Sequence, residues 1–341
     1  MEKYIDYSID KIIELCKTPS PTGFTKKAIK KLKKIFKEIG YEYNITNKGS
    51  LIVDLGGEGN AVAFAAHIDT LGAMVRSIKD NGRIRLTRLG GFPLNFVETE
   101  NCIIHTRDLK EYSGTIQVIH PAVHVYSDAG SMKREEQNME LIIDEKVFNK
   151  EDVQKLGIQT GDFVSFDSRS VYTESGFIKS RHLDDKASAG ILIGIAKYIK
   201  ENNIKLNRKV YIIFTTYEEV GHGGSFVPAD IKEMISVDMG AVGEDLETNE
   251  FKVSICSKDS GGPYDYEVTT DLINIAKKLD LNYAIDVYPY YGSDVEATLR
   301  AGYDIKHALI GPGVFASHGY ERTHKEGIEN TFKLILDYIS K

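Results

Sequence analysis

Residues 208–224 read RKVYIIFTTYEEVGHGG. The first part, RKVYIIFTT, is a run of β-branched and aromatic residues of strand length, and it reads as a buried strand. It ends in two adjacent acids, Glu218 and Glu219, followed by a glycine-rich turn. Neighbouring strand residues point to opposite faces. If the strand continued, one acid would enter the core, where a charge needs a partner. At a strand end both can serve one pocket. Taken alone, such a pair is usually a solvated turn.

Working outward from this strand, helical periodicity covers 5–16 and 24–38, with PSPTG between them. Strands follow at 49–55 and 61–70, joined by GGEGN. The texture then changes. Short strands such as RIRLTRL, TIQVIH and DFVSFD, with turns between them and little helical pattern, read as a small all-β unit. Beyond it, helices at about 185–200, 268–279, 294–301 and 326–339 alternate with strands at 209–216, 233–239, 251–257, 283–288 and 306–311. Strands alternating with helices predict an α/β fold, a central mixed β-sheet flanked by helices, interrupted by an inserted small all-β domain. The expected division is 1–73 plus 171–341 for the α/β domain and 74–170 for the insert.

Composition narrows the class. The chain has 341 residues, 42 % apolar and 27 % charged, with a formal charge of −7. That profile suits a globular protein and gives no broad basic field for nucleic acid. The lysines of KKAIKKLKKIFKE read as the solvated face of a helix whose other side carries Phe24, Ala28, Ile29, Leu32, Ile35, Phe36 and Ile39. The three cysteines, Cys16, Cys102 and Cys256, are widely spaced and form no CxxC, so no disulfide framework is expected. No apolar run is long enough for a membrane span, and the start lacks the apolar core of a signal peptide. A reducing cytoplasm is the expected location.

Polar residues gather where apolar runs end. His67 and Asp69 follow AVAFAA at a spacing of two, on one side of an extended strand, which suits an acid orienting a metal-binding imidazole. A buried histidine satisfied by an aspartate is the plainer alternative. Asp184 and Asp185 precede a helix, where acids also act as caps. Asp238 ends EMISVDMG, and His318 lies in GVFASHGYER. In open α/β sheets such strand ends line the binding crevice. Imidazole with carboxylate suits Zn²⁺, Co²⁺ or Mn²⁺. Five ligands exceed one tetrahedral zinc and match two metals sharing a carboxylate, a pair able to activate a water. Glu219 can then ligate while Glu218 stands outside and moves protons. Spacing alone leaves open which acid takes which role. No HExxH, GxSxG or P-loop pattern occurs.

The stretches AAHIDTLGAMV (65–75), LGIQTGDFVSFD (156–167), SRHLDDKASAG (180–190), TTYEEVGHGG (215–224), SVDMG (236–240) and GSDVEATLRAG (292–302) occur in this order over nearly the whole chain. Together they resemble the M42 family of dinuclear metallo-aminopeptidases, which includes glutamyl and tetrahedral (TET) aminopeptidases. The resemblance implies a co-catalytic metallopeptidase fold. It makes His67 a ligand oriented by Asp69, Asp184 the bridging carboxylate, Glu218 the general base, and Glu219 and Asp238 further ligands. One metal would take His67, Asp184 and Asp238, and the other Asp184, Glu219 and a late histidine. Family members usually carry a tyrosine-isoleucine-histidine-serine stretch there. This chain has FASHGYERTH, so His318 is the expected ligand and His324 the fallback. His182 and His222 flank proposed ligands as substrate contacts or scaffold. The resemblance further implies two divalent ions per subunit and an insert that mediates homo-oligomers, often dodecamers.

The expected function is therefore aminopeptidase action on short peptides with a free N-terminus. Hydrolysis of another amide, such as an acyl-amino acid, or of a glycosidic bond is the enzymatic alternative. A non-catalytic, metal-dependent peptide-binding or assembly protein is the other.

Overall fold

The computed structural model describes residues 1–340. The chain forms two compact units, Met1–Asp69 with Arg169–Lys341, and Thr70–Ser168.

The first unit is built on a ten-stranded mixed sheet. Its central strands run in the order Leu51–Gly56, Val210–Thr215, Ala61–His67, Ile231–Val237, Lys306–Val314 and Val253–Asp259. Val210–Thr215 and Ile231–Val237 pair parallel to Ala61–His67, and Lys306–Val314 pairs parallel to Ile231–Val237. Val253–Asp259 lies antiparallel to Lys306–Val314. The expected α/β architecture is present, with the closed β-barrel of the second unit as its insert.

Strand alternation divides the core in two. Val62, Phe64, Ala66, Val210, Ile212 and Phe214 join the larger apolar cluster, with the helices Glu2–Cys16, Lys26–Ile39, Leu183–Asn202 and Lys325–Ile339. Ala61, Ala63, Ala65, Tyr211 and Ile213 join the smaller cluster on the opposite face, with Val295 of the Asp294–Arg300 helix. Both faces of these strands are thus covered, which explains their near-continuous apolar sequence. Leu183–Asn202 is buried along most of its length. It packs closely on Glu2–Cys16 through two glycines. A Cβ on Gly190 would lie 2.4 Å from Ile12 Cγ1 and 2.9 Å from the Ser8 carbonyl oxygen.

The insert closes six strands in the order Gly72–Ile78, Ile84–Leu89, Met139–Ile143, Glu111–Val118, Asn101–His105 and Phe163–Phe166, all antiparallel. Val75, Ile84, Ile104, Leu141 and Val164 fill it. Closure leaves the barrel no unpaired sheet edge. It also contains a short helix, Lys150–Lys155, which periodicity did not reveal because six residues span under two turns. Its start is fixed by the Asn149 side chain, which accepts from the Asp152 N–H. A three-stranded sheet of the first unit, Val171–Tyr172, Phe177–Ser180 and Glu321–His324, was likewise too short to read. The strand expected at 61–70 ends at His67. All three cysteines are free and buried, and no helix among the described residues is long and apolar enough to cross a membrane.

Gly190 separates two effects of opposite sign. Alanine in a helix interior is favoured over glycine by about 1 kcal/mol, whereas overpacking a tight contact costs about 1–3 kcal/mol. Because the clash involves main chain, packing decides. Gly190→Ala is expected to lower the urea midpoint at unchanged m-value. A raised midpoint would contradict the close helix contact.

Candidate metal centre

The parallel strands Ala61–His67, Val210–Thr215, Ile231–Val237 and Lys306–Val314 place their C-terminal ends along one edge of the sheet. His67 closes the first and pairs with Thr215, which closes the second. Asp238 follows the third, held by its N–H donating to the Ile310 carbonyl at 2.9 Å. Gly311 makes this crossing possible, since a Cβ there would lie 1.7 Å from the Asp238 carbonyl oxygen. His318 follows the fourth strand. Asp184 enters from the start of the long buried helix, after Phe177–Ser180. Three of these approaches turn through a non-glycine residue in the left-handed region: Tyr217 at φ 70°, His182 at φ 71° and His318 at φ 66°. Such conformations are held by surrounding structure and recur at functional sites.

The side chains converge. His67, Asp184 and Asp238 are buried, and each offers a ligand atom within 4.8 Å of the others. Asp184 faces two imidazoles. Its Oδ1 lies 2.9 Å from His67 Nε2, and its Oδ2 lies 3.4 Å from His318 Nε2. Glu219 Oε2 stands 3.7 Å from His318 Nε2, and Glu218 Oε2 stands 3.8 Å from His67 Nε2. The two glutamates thus attend opposite ends of the Asp184 carboxylate. The 3₁₀ turn Glu218–Val220 produces this divergence at a strand end, resolving the conflict posed by two adjacent acids.

Asp69 acts through two groups. His67 Nδ1 donates to the Asp69 main-chain carbonyl at 2.9 Å, whereas the nearer carboxylate oxygen is 3.7 Å away. The carboxylate instead accepts from Thr22 Oγ1 at 2.7 Å, from the Glu218 N–H at 3.2 Å and from the Glu219 N–H at 3.4 Å. The strand-spacing argument expected the carboxylate to orient the imidazole. The chain leaves extended geometry after His67, so the carbonyl takes that contact.

Electrostatics follow from this crowding. Burial raises the Glu219 carboxyl to about 8 and Asp238 to about 7, and the nearby Asp184 charge adds to both. Burial raises Glu218 well above the ordinary glutamate range. Burial pushes Asp184 the same way, but hydrogen bonds to His318 and His67 outweigh it and hold Asp184 well below the usual range. Both nitrogens of His67 face oxygens. Despite burial, its proton is held well above the ordinary histidine value by the bond to Asp184 and the surrounding acids. Buried acids with insufficient positive charge, and an imidazole fixed by its distal nitrogen, suit a divalent cation. The donor set of imidazole and carboxylate oxygen fits Zn²⁺, Co²⁺ or Mn²⁺ chemistry.

Further residues support the site, and Tyr291 and Ser317 among them carried no readable signal. Tyr291 OH lies 2.8 Å from Asp238 Oδ1, and Ser317 Oγ donates to Asp184 Oδ2 at 3.1 Å. Glu321 ties two loops together, accepting from the His318 N–H at 2.9 Å and the Asp184 N–H at 3.1 Å. Asp185 accepts from the His67 N–H at 3.2 Å. Only Glu321 and Asp185 could have been suspected, as acids flanking His318 and Asp184. His324 lies elsewhere. Its Nδ1 accepts from the Glu326 N–H at the start of the last helix, and its ring packs on Phe177 and Phe251. His182 presents its carbonyl to the Lys186 N–H, and His222 stacks on Tyr217.

Residues 49–334 match the sequence model of the M42 glutamyl aminopeptidase family. YhfE of Bacillus subtilis (strain 168), a protein named as a candidate aminopeptidase, is 45 % identical over 97 % of each chain. The TET aminopeptidase from a marine sediment Thaumarchaeota archaeon superposes with a TM-score of 0.88 at 18 % identity, covering 98 % of this chain and 97 % of its own. The TET1 peptidase of Pyrococcus horikoshii, described as assembling into a tetrahedron or a large octahedral shell, superposes with a TM-score of 0.85 at 23 % identity, covering 98 % and 99 %. At these identities the two structures establish the shared fold. The family match, the close relative and the His67, Asp184 and Asp238 cluster lead to one conclusion: the chain belongs to the M42 glutamyl aminopeptidase family and is a metal-dependent aminopeptidase.

Proposed function

We propose that His67, Asp184 and Asp238 hold one divalent ion, that Asp184, Glu219 and His318 hold a second, and that the centre releases N-terminal residues from short peptides. The observation that carries this reading is the two-sided placement of Asp184, with one oxygen toward His67 and the other toward His318. When bound, such ions supply Lewis acidity and lower the pKa of a coordinated water. Zinc or cobalt is the expected occupant, with manganese a third option from the same donor chemistry.

The remaining work belongs to the chain. The Asp69 carbonyl fixes His67 by its Nδ1–H, and the Asp69 carboxylate holds the main chain of Glu218 and Glu219. Tyr291 braces Asp238. Glu218 stands outside both ligand sets. Burial raises its pKa and so makes its carboxylate a stronger base, suited to take a proton from the attacking water and, as the carboxylic acid so formed, to deliver it to the departing amine. The surplus of carboxylates also favours a substrate entering ammonium first.

The chain is further proposed to act as a closed homo-oligomer in the cytoplasm, with a tetrahedral dodecamer as the expected form. Support comes from the assembly described for the Pyrococcus horikoshii relative and from apolar residues exposed on the insert, Val123 at 73 % and Val125 at 71 % among them. The free, buried thiols suit a reducing compartment.

Substitutions test the roles separately. Glu218→Gln is expected to keep its metal content and lose about 10²–10⁴-fold in kcat. Glu219→Gln is expected to bind metal more weakly. Metal titration and turnover showing the reverse pattern would exchange the two roles. Asp184→Ala is expected to weaken both sites, and elemental analysis finding two tightly held ions would remove its bridging role.

Assembly is tested by sedimentation velocity. The intact chain is expected to sediment as a large closed oligomer at micromolar concentration, and the Val123→Glu, Val125→Glu variant as smaller species. A monomeric intact chain, or a variant sedimenting identically, would contradict assembly through the insert.

A further inference from the structure

The stretch GSDVEATLRAG (292–302) holds none of the residues assigned to the centre, yet its helix, Asp294–Arg300, packs against the turn that carries Glu218 and Glu219. Asp294 opens that helix and is buried, with 3 % of its surface exposed. Its Oδ2 accepts from Thr215 Oγ1. Among the described residues, its Oδ1 has no hydrogen-bond partner. That oxygen faces the inside of the turn. A Cβ on Gly223 would lie 2.3 Å from it and 3.0 Å from the Glu218 main-chain nitrogen. A buried carboxylate with one oxygen unpaired costs stability, so stability alone does not account for an acid here.

The same helix meets three segments that carry the centre. Thr215 closes the strand leading to Glu218 and pairs with His67 in the sheet. The Val295 N–H donates to Ser236 Oγ at 3.3 Å, two residues before Asp238. Thr298 Oγ1 donates to the Gly224 carbonyl at 2.6 Å. This close approach requires the glycines that end YEEVGHGG, since a Cβ on Gly224 would lie 2.3 Å from the Asp294 carbonyl oxygen. The turn closes on Glu218, whose carbonyl accepts from the Gly221 N–H at 2.7 Å. The Glu218 N–H is held by the Asp69 carboxylate at 3.2 Å. The Glu218 main chain is therefore framed by two buried acids, Asp69 bonded to it and Asp294 set against it through Gly223. Lys48 holds the far end of the turn, its Nζ donating to Ser225 Oγ at 2.6 Å and to the His222 carbonyl.

We propose that Asp294 is a positioning residue for Glu218. By accepting from Thr215 and bearing on Gly223, it sets how far the turn carries the Glu218 carboxylate toward the reacting water. Asp294 is neither a metal ligand nor a substrate contact. The proposal rests on Glu218 as the acid–base group and adds what fixes its aim. Asparagine at 294 can still accept from Thr215 and fill the space beside Gly223, whereas alanine does neither.

The test uses the full-length, metal-loaded protein and a tripeptide with a free N-terminus. Asp294→Ala, Asp294→Asn and Gly223→Ala are each prepared alone and combined with Glu218→Gln, with metal content and melting curves recorded for all. Asp294→Ala is expected to lower kcat roughly ten- to hundredfold at little-changed KM, the scale for a reacting group misplaced by about 1 Å. Asp294→Asn is expected to keep most of the wild-type kcat. Combined with Glu218→Gln, Asp294→Ala should cost little more, because the group it positions is already gone. Gly223→Ala disturbs the same contact from the turn side. It is expected to lower kcat alone and to be silent beside Glu218→Gln, and it carries the test if Asp294→Ala does not fold. A merely structural role would lower kcat equally in both backgrounds. That result, an asparagine variant as poor as the alanine one, or unchanged kcat in both Asp294→Ala and Gly223→Ala would overturn the positioning role while leaving Glu218 as the base. A Glu218→Gln enzyme with wild-type kcat would overturn both.

Discussion

The first unit is organised around an unfavourable concentration of negative charge. Asp69, Asp184, Asp185, Asp238 and Glu321 are buried near one another, with Glu218 and Glu219 beside them. His67 and His318 are the imidazoles facing Asp184. Moving carboxylates from water into such a site costs several kcal/mol each unless positive charge and hydrogen bonds compensate. The fold supplies main-chain N–H groups to Asp69, Asp185 and Glu321. It leaves Asp238 and Glu219 shifted upward, toward protonation. That shortfall is what divalent cations relieve, and relief of this kind couples metal affinity to folding and to proton release.

The scaffold makes the concentration tolerable by fixing its members from a distance. Lys186, fully buried, donates to the Leu15 and Thr18 carbonyls and to Ser20 Oγ, while Ser20 Oγ donates to the Ile68 carbonyl at 2.7 Å. One ammonium therefore connects the helix after Asp184, the end of the first helix and the segment between His67 and Asp69. Burial lowers its pKa to about 8. The close contact at Gly190 sets the depth of the same long helix. On the other side, Gly311 lets the Asp238 main chain cross its neighbour. Positions that never meet substrate thus decide the spacing of those that do.

Much of this was legible in residue order because long elements have strong periodicity. The strand ending at Thr215 and the buried helix through Ile191–Ile195 are continuous apolar runs, and their ends located the acids. The pairing of His318 rather than His324 with Asp184 was also readable, since a strand and a Gly-Pro turn lead into His318. The hidden parts depend on tertiary contact. Tyr291 reaches Asp238 from a loop 53 residues away. The Asp69 carbonyl replaces its carboxylate at His67 because the strand ends at His67, before the extended alternation reaches Asp69.

The central claim is that one carboxylate, that of Asp184, serves two cations. Crystals grown from zinc-loaded protein, with diffraction recorded on both sides of the zinc absorption edge, test it most directly. The account predicts two anomalous peaks per subunit, about 3.5–4 Å apart as in two-metal sites, with Asp184 contributing one oxygen to each. A single peak held by His67, Asp184 and Asp238, with Glu219 and His318 turned away at full zinc occupancy, would contradict it.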